Sequence, residues 1–406
     1  MRKKLKINLM IIFLVILSGI FLGQRYFRST ESKKVQKSQD KQVKEEQAEK
    51  KGKKEKIHEQ TWVEGLHFTR ISNREIKLLW TDQKNSCVDT YVIKKRKSGE
   101  SEWRTLGTVI SDGMTEGREL SFVDFLEDST PQQYEYRVDI EVADERLYQA
   151  VEGESVFASN LLICIDPGHY KGRNVIDTDG IVYDEGVFTL ELAIELQKLL
   201  REQYGVTAYL TRESGTIHIN GYTDSGLDNG HISLRGEYAK GSDLFLSLHT
   251  NANLEKANGY ETDEQPVEIM KPIIIMNTTA CESETALAIG NAIGERLAEI
   301  SNQLEIAMPE KFHKISGKED IVQWSDAWND ALDGSGAICK RLGKEGDYYG
   351  VLKGAANVQV LGMIIEHGFH TVPKMRELAK QGILQKEWAK ADAKGIAKGF
   401  ELEAAK

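Results

Sequence analysis

The rhythm of apolar and polar positions changes several times along this 406-residue chain. Leu9 to Leu22 is one apolar run, and residues 30–58 carry no apolar period at all. Between 61 and 158 the apolar positions come in short runs separated by turn clusters. Ile76-Lys77-Leu78-Leu79-Trp80, Tyr91 to Arg96 and Tyr134 to Ile140 are the clearest, the last alternating with a period of two. That period predicts half-buried strands, with Trp80, Tyr91, Tyr136 and Val138 facing a core. Ser159-Asn160 closes this part. From Leu161 onward, short apolar runs alternate with stretches of helical period, which predicts strands joined by helices.

Three of these later strands end the same way. Leu161-Leu162-Ile163-Cys164-Ile165 reads as a strand buried on both faces and runs into Asp166-Pro167-Gly168-His169. Leu244-Phe245-Leu246-Ser247-Leu248 runs into His249-Thr250-Asn251-Ala252. Met363-Ile364-Ile365 runs into Glu366-His367-Gly368-Phe369. Parallel strands of one sheet would bring these ends to one edge, where α/β sheets bind ligands. The remaining elements follow from the same pattern. Phe188, Leu192, Leu196 and Leu199 form one helical stripe that Gly205 would stop. Strands are expected at 206–210, 271–276, 346–352 and 361–366, and helices at 233–240, 282–300 and 388–400. Residues 301–340 show no clear period. With Trp324 and Trp328 they read as an insertion lying on the sheet.

The predicted organisation is therefore an α/β catalytic domain over 159–406, with one mostly parallel twisted sheet flanked by helices. An all-β sandwich over 61–158 precedes it, and its strand spacing resembles fibronectin type III or immunoglobulin-like domains. Such a sandwich carries no chemistry of its own. Residues 1–28 form a signal segment, with Arg2, Lys3, Lys4 and Lys6 before the apolar run and Arg25 and Arg28 after it. No small-residue cleavage site follows, which favours an uncleaved membrane anchor over a signal peptide. Residues 29–60 read as a charged, solvated linker. Either form of the N-terminus implies export, with the globular part outside the cytoplasm.

Charge narrows the partners. Residues 1–60 hold 16 Lys and Arg against 7 Asp and Glu, leaving 37 against 56 in the rest. An acidic globular part lacks the basic footprint that nucleic acid needs. The four cysteines, Cys87, Cys164, Cys281 and Cys339, fit no zinc-finger spacing. Cys164 is expected as a core residue, and a Cys281–Cys339 disulfide is one pairing among several.

His169 and His249 are the best metal-ligand candidates, on two separate strand ends. Glu185 opens the amphipathic helix one loop later and can face the same edge, with Asp184 as the reserve ligand. Glu366 is the fourth polar group and suits proton transfer. Arg235 is a candidate for substrate or for a salt bridge, and Asn251 for substrate or for a turn. Asp166 is expected to hold its turn or the His169 imidazole, and His367 and His370 to sit at the solvent edge. His218, His231 and His313 have no assigned role.

These motifs together resemble the zinc-dependent N-acetylmuramoyl-L-alanine amidases. The D-P-G-H strand end at 166–169, Glu185 with Thr189-Leu190-Glu191-Leu192-Ala193, Thr211-Arg212, Ser233-Leu234-Arg235 with Asp243 to Ala252, and Ile364 to Phe369 occur in that family's order. The resemblance implies a zinc ion (Zn2+) on His169, Glu185 and His249, Glu366 as catalytic acid and base, and peptidoglycan as substrate. Two departures bear on substrate range: bulky Tyr170-Lys171-Gly172-Arg173 after the first histidine, and the long stretch 301–340. A zinc carboxypeptidase on stem peptides, or a non-catalytic wall-binding protein, are the alternatives.

Overall fold

The computed structural model describes residues 59–82, 87–111, 117–178, 180–252, 270–307, 310–328 and 335–405. The expected signal segment at 1–28 and nearly all of the linker at 29–60 lie outside them. Among the described residues no helix is long and apolar enough to cross a membrane. Two compact units are present, Met1–Gln60 with Asp144–Gln149, and Thr61–Ala143 with Ala150–Lys406. In the first, the Glu59 amide donates to the Leu147 carbonyl at 3.0 Å.

The larger unit begins with two antiparallel sheets. Strands Glu64–Ser72, Glu75–Thr81 and Glu119–Phe125 form one. Strands Arg104–Ile110, Val88–Lys97, Gln133–Val142 and Val156–Ser159 form the other, in that spatial order. Their alternating inward positions make a core in which Trp80, Tyr91 and Tyr136 are fully buried. Tyr91 donates to Asp82 at 2.7 Å and Tyr136 to Asp124 at 2.6 Å, so each buried phenol has a partner.

The last of these strands leads almost directly into the second sheet. Gln133 is fully buried, and its amide donates to the carbonyls of Tyr204 at 2.7 Å and Glu403 at 2.9 Å. Its side-chain oxygen accepts the Glu403 amide at 2.8 Å. Ser159 and Gly205 join by a further backbone bond of 2.8 Å. These bonds tie together residues on either side of position 158/159, where the sequence suggested a boundary.

The second sheet has eight strands: β1 Leu162–Pro167, β2 Thr207–Leu210, β3 Leu244–Asn251, β4 Ile273–Met276, β5 Phe312–His313, β6 Val322–Gln323, β7 Gly336–Lys340 and β8 Leu361–Phe369. Their order is β2-β1-β3-β8-β4-β7-β5, with β6 also on β7. All pairings are parallel except β4 on β8. The sheet is mixed at one junction.

Helices α1 Glu185–Tyr204, α3 Glu284–Gln303, α5 Pro373–Lys380 and α6 Ile383–Gly399 bear on the larger core, while the short α2 Ser233–Glu237 and α4 Gly350–Asn357 lie over the other face. Phe188, Leu192, Leu196 and Leu199 of α1 are all buried, each contributing roughly 1.5–3 kcal/mol. Gly205 stops α1 in the left-handed conformation at φ 62°, and a Cβ there would lie 2.1 Å from the Phe157 carbonyl oxygen.

Two expectations are corrected. Residues 346–352 are not a strand: Gly346–Asp347 makes a two-residue bridge and α4 begins at Gly350. Its small residues, Gly354 and Ala355, let it pack closely on α2, a signal that outweighs the local apolar run. The stretch 301–340 does not merely lie on the sheet, because it supplies β5, β6 and β7. These strands are too short to show a period.

Candidate active site

Register brings the strand ends together. Pro167 pairs with Leu248, and His249 pairs with Glu366. Beyond β1 the chain turns at Gly168, where a Cβ would lie 2.5 Å from the Leu248 carbonyl oxygen. His169 follows at φ 60°, a left-handed conformation costly for a side-chain-bearing residue and held here by the turn. Arg212 clamps that turn. Its buried guanidinium donates to the carbonyls of Pro167, Gly168 and Gly186 at 3.2, 3.1 and 2.6 Å.

One ligand-grade atom from each of His169, Glu185 and His249 lies within 4.8 Å of the others. His169 Nε2 is 3.5 Å from Glu185 Oε2, and His249 Nδ1 is 3.3 Å from Glu185 Oε1. Glu185 opens α1 and is fully buried. Its carboxylate accepts the Thr250 amide at 2.8 Å and Asn174 Nδ2 at 2.6 Å. Burial alone would raise its pKa. The His249 hydrogen bond and the neighbouring imidazoles of His169 and His249 outweigh burial and hold the carboxyl well below its ordinary range. Among the described residues no Lys or Arg forms an ion pair with Glu185.

The tautomer of His169 follows from its other side. Nδ1 lies 3.0 Å from Asp228 Oδ1, and a carboxylate only accepts, so Nδ1 carries the proton. Nε2 faces the Asn174 amide nitrogen, a donor, at 3.3 Å and is therefore the acceptor side of the ring. A lone pair, a deprotonated carboxylate and a second imidazole converging without a basic side chain are a donor set that fits a divalent metal. Asp184, the reserve ligand, is committed elsewhere. It caps α1 by accepting the Val187 amide at 3.2 Å and also accepts the Gly172 amide at 2.7 Å.

Glu366 reaches the same edge from β8. It is half-buried, and its Oε2 is buried with no hydrogen-bond partner among the described residues. Burial, then the like charge of Glu185, pushes its carboxyl up to about 8, against the opposing charges of His169 and His367. A carboxylate so raised is matched to moving protons near neutral pH.

The structure decides between the readings of several residues. Arg235 takes the salt bridge: it is 1% exposed and donates to Asp166 at 2.9 and 3.0 Å and to the Pro167 carbonyl at 2.8 Å. The Asn251 amide oxygen accepts the Ala252 backbone amide at 2.8 Å. Asp166 holds Arg235, Thr211 and Ser247 rather than His169. His367 and His370 are buried, not at the solvent edge. His367 faces the His249 carbonyl at 3.1 Å and Asp392 at 3.0 Å, both pure acceptors, so both ring nitrogens carry protons. Its ring stacks on Trp388 at 5.2 Å. His370 meets Thr250 Oγ1 at 2.9 Å and stacks on Tyr183. His218, His231 and His313 are exposed. Cys281 and Cys339 are both buried and not joined in a disulfide.

The residue that sequence reasoning missed is Asp228. It sits in a turn at Gly226–Gly230, over a small cluster of Ile217, Ile219 and Leu227. It receives His169, Arg173 Nε at 3.0 Å and Arg235 Nη1 at 3.6 Å. Only its place between Thr211-Arg212 and Arg235 hinted at a role.

A family model described as N-acetylmuramoyl-L-alanine amidase matches residues 163–398. Over 108 residues the chain is 33% identical to an uncharacterized cell wall amidase of Bacillus anthracis, a match covering 26% of this chain and only 19% of that relative. The chain is also similar to two solved structures. One is the amidase AmiC2 of Nostoc punctiforme, at 18% identity and TM-score 0.35, covering 59% of this chain and 96% of that one. The other is the CwlD amidase of Clostridioides difficile, solved with the GerS lipoprotein, at 17% identity and TM-score 0.39, covering 59% and 98%. With the family match spanning more than half its length, the chain belongs to the N-acetylmuramoyl-L-alanine amidase family.

Proposed function

We propose that this protein is a zinc-dependent N-acetylmuramoyl-L-alanine amidase acting on peptidoglycan outside the cytoplasm. The bond cut is the amide between the lactyl group of N-acetylmuramic acid and L-alanine of the stem peptide. The observation that carries this reading is the pairing of a three-donor metal cluster with a separate, half-buried carboxylate at one sheet edge, one oxygen of which is buried without a hydrogen-bond partner among the described residues.

His169, Glu185 and His249 would hold the ion; bound zinc supplies a Lewis acid that acidifies water and polarises the scissile carbonyl. Glu366 takes a proton from the attacking water. It returns that proton to the departing amine of L-alanine, so the carboxylate ends as it began. Asp228 keeps His169 in the tautomer whose Nε2 faces inward. His367 holds the His249 carbonyl from behind the sheet.

The front sandwich, which we read as fibronectin type III-like, would carry no chemistry. The apolar run at 9–22 would anchor or export the chain.

Digestion of purified soluble muropeptides by the full chain with added zinc, followed by mass spectrometry, tests the reading. Release of peptides beginning with L-alanine is expected. Release of a C-terminal residue instead would make the protein a carboxypeptidase, and no product would leave it a binding protein.

A further inference from the structure

The loop between β2 and α2 carries more than Asp228. β2 runs parallel to β1 with Leu210 level with Ile165, and the Thr211 amide donates to the Ile165 carbonyl at 3.0 Å. The chain therefore leaves β2 at the sheet edge that bears His169. Three contacts then hold residues 213–232 against the site. Asp228 accepts from His169 Nδ1 at 3.0 Å. Tyr170, the next residue, packs on the cluster of Ile217, Ile219 and Leu227. The Lys171 amide donates to the Gly215 carbonyl at 2.8 Å.

This loop presents an aromatic pair to solvent. The ring centres of Tyr222 and His231 are 3.8 Å apart, with their planes 32° apart. Tyr222 is 41% exposed and His231 is exposed as well. His231 is three residues from Asp228, so their Cα atoms are at most about 11 Å apart.

The backbone beneath the pair is fixed. His218–Ile219 pairs with Tyr222–Thr223 across Asn220-Gly221, at φ 50° and 82°, the left-handed positions that a two-residue Asn-Gly hairpin turn requires. Tyr222 stands opposite Ile219, on the face that covers the buried cluster. Asp224 closes the hairpin base: its carboxylate accepts the Ile217 amide at 2.9 Å, and its own amide donates to the Ile217 carbonyl at 3.1 Å. The His231 amide donates to the Gly226 carbonyl at 2.7 Å.

We infer that Tyr222 and His231 form a subsite for an N-acetylhexosamine ring of the glycan strand, beside the muramic acid whose peptide is cut. The inference rests on the amidase reading for its ligand. A β-linked pyranose turns axial C–H bonds to each face, and such an apolar face packs on an aromatic ring while the hydroxyls at its rim stay in water. Tyrosine supplies that ring with a polar tip. The two side chains already hold each other on a rigid turn, so little freedom is lost when a sugar lands.

The test is calorimetric titration of the zinc-loaded full chain with a peptide-free, β-1,4-linked tetramer of N-acetylglucosamine, which has no lactyl amide to cut. Tyr222→Ala should weaken binding about tenfold, the upper end of one ring stack. Tyr222→Phe, which keeps the ring, should bind like the parent. His231→Ala, at an exposed position, should lose a few-fold. None of the three touches His169, Glu185, His249 or Asp228, so zinc affinity and melting temperature should stay near those of the parent. In turnover, the parent should show a lower KM for muropeptides carrying several linked disaccharides than for a single muramoyl peptide. Tyr222→Ala should shrink that difference and spare kcat. No tetramer binding by the parent, or binding that ignores both Tyr222→Ala and His231→Ala, overturns the subsite. An equal rise in KM on long and short substrates overturns it as well. If the protein releases no L-alanine peptide while tetramer binding still follows Tyr222, the amidase reading fails and the sugar subsite stands.

Discussion

Two buried carboxylates a few residues apart in space show how this fold separates support from chemistry. Asp166 and Glu185 are both wholly buried, and both are held below the ordinary carboxylate range against their burial. Asp166 meets a permanent cation, Arg235, and the hydroxyls of Thr211 and Ser247. Its charge is balanced inside the fold. Glu185 meets two imidazoles, a side-chain amide and one backbone amide. Among the described residues no Lys or Arg pairs with it. The first arrangement is complete and the second calls for an ion. Glu366 extends the comparison, since one of its oxygens has no partner and burial pushes it up to about 8.

The comparison breaks most severely at Glu185. Replacing Glu185 or His249 by Ala should remove metal and activity together, read by elemental analysis and muropeptide turnover. Glu366→Gln should lower turnover by about 10²–10⁴-fold while the melting temperature stays near that of the parent chain.

Asp166→Asn sharpens the other side. It leaves Arg235 buried without its main counter-charge and should cost about 3–5 kcal/mol in urea unfolding. The pH dependence has a fixed sign. Burial raises the Asp166 pKa, but Arg235 and the hydroxyl hydrogen bonds lower it further, so the folded value lies below the unfolded one. Its contribution is complete above the unfolded value of about 3.9 and is lost as pH falls through the folded value. The stability gap between the parent and Asp166→Asn should therefore be constant from pH 5 to 7 and shrink in acid. A gap that widened in acid would contradict the pairing.

Asp228→Asn should have the smallest effect, a loss of about 10–100-fold in zinc affinity with the three ligands intact. Chelator competition on the apo protein reads this without any turnover. Unchanged affinity would reduce Asp228 to a partner of Arg173 and Arg235.

The strand ends were legible because each is a buried apolar run stopped by a polar residue, a purely local signal. His169, His249 and Glu366 could be read from three such runs, and Glu185 from the start of one amphipathic stripe. What escaped depends on distant partners. His367 is buried because Asp392 and Trp388 approach from α6, twenty or more residues on. Arg235 is withdrawn from solvent because Asp166 lies beneath it. Asp228 gained its role from a turn over a three-residue cluster that has no period of its own. The strands inside 301–340 are two to five residues long, below the length at which alternation can be counted.

The central claim is that one carboxylate holds the metal and another moves the proton. Zinc dissociation constants for the parent chain, Glu185→Gln and Glu366→Gln, measured by chelator competition on apo protein, test it most directly. The account predicts that Glu366→Gln binds zinc within a few-fold of the parent while Glu185→Gln loses it. If Glu366→Gln loses zinc as completely as Glu185→Gln, Glu366 is a ligand and the division between the two carboxylates is wrong.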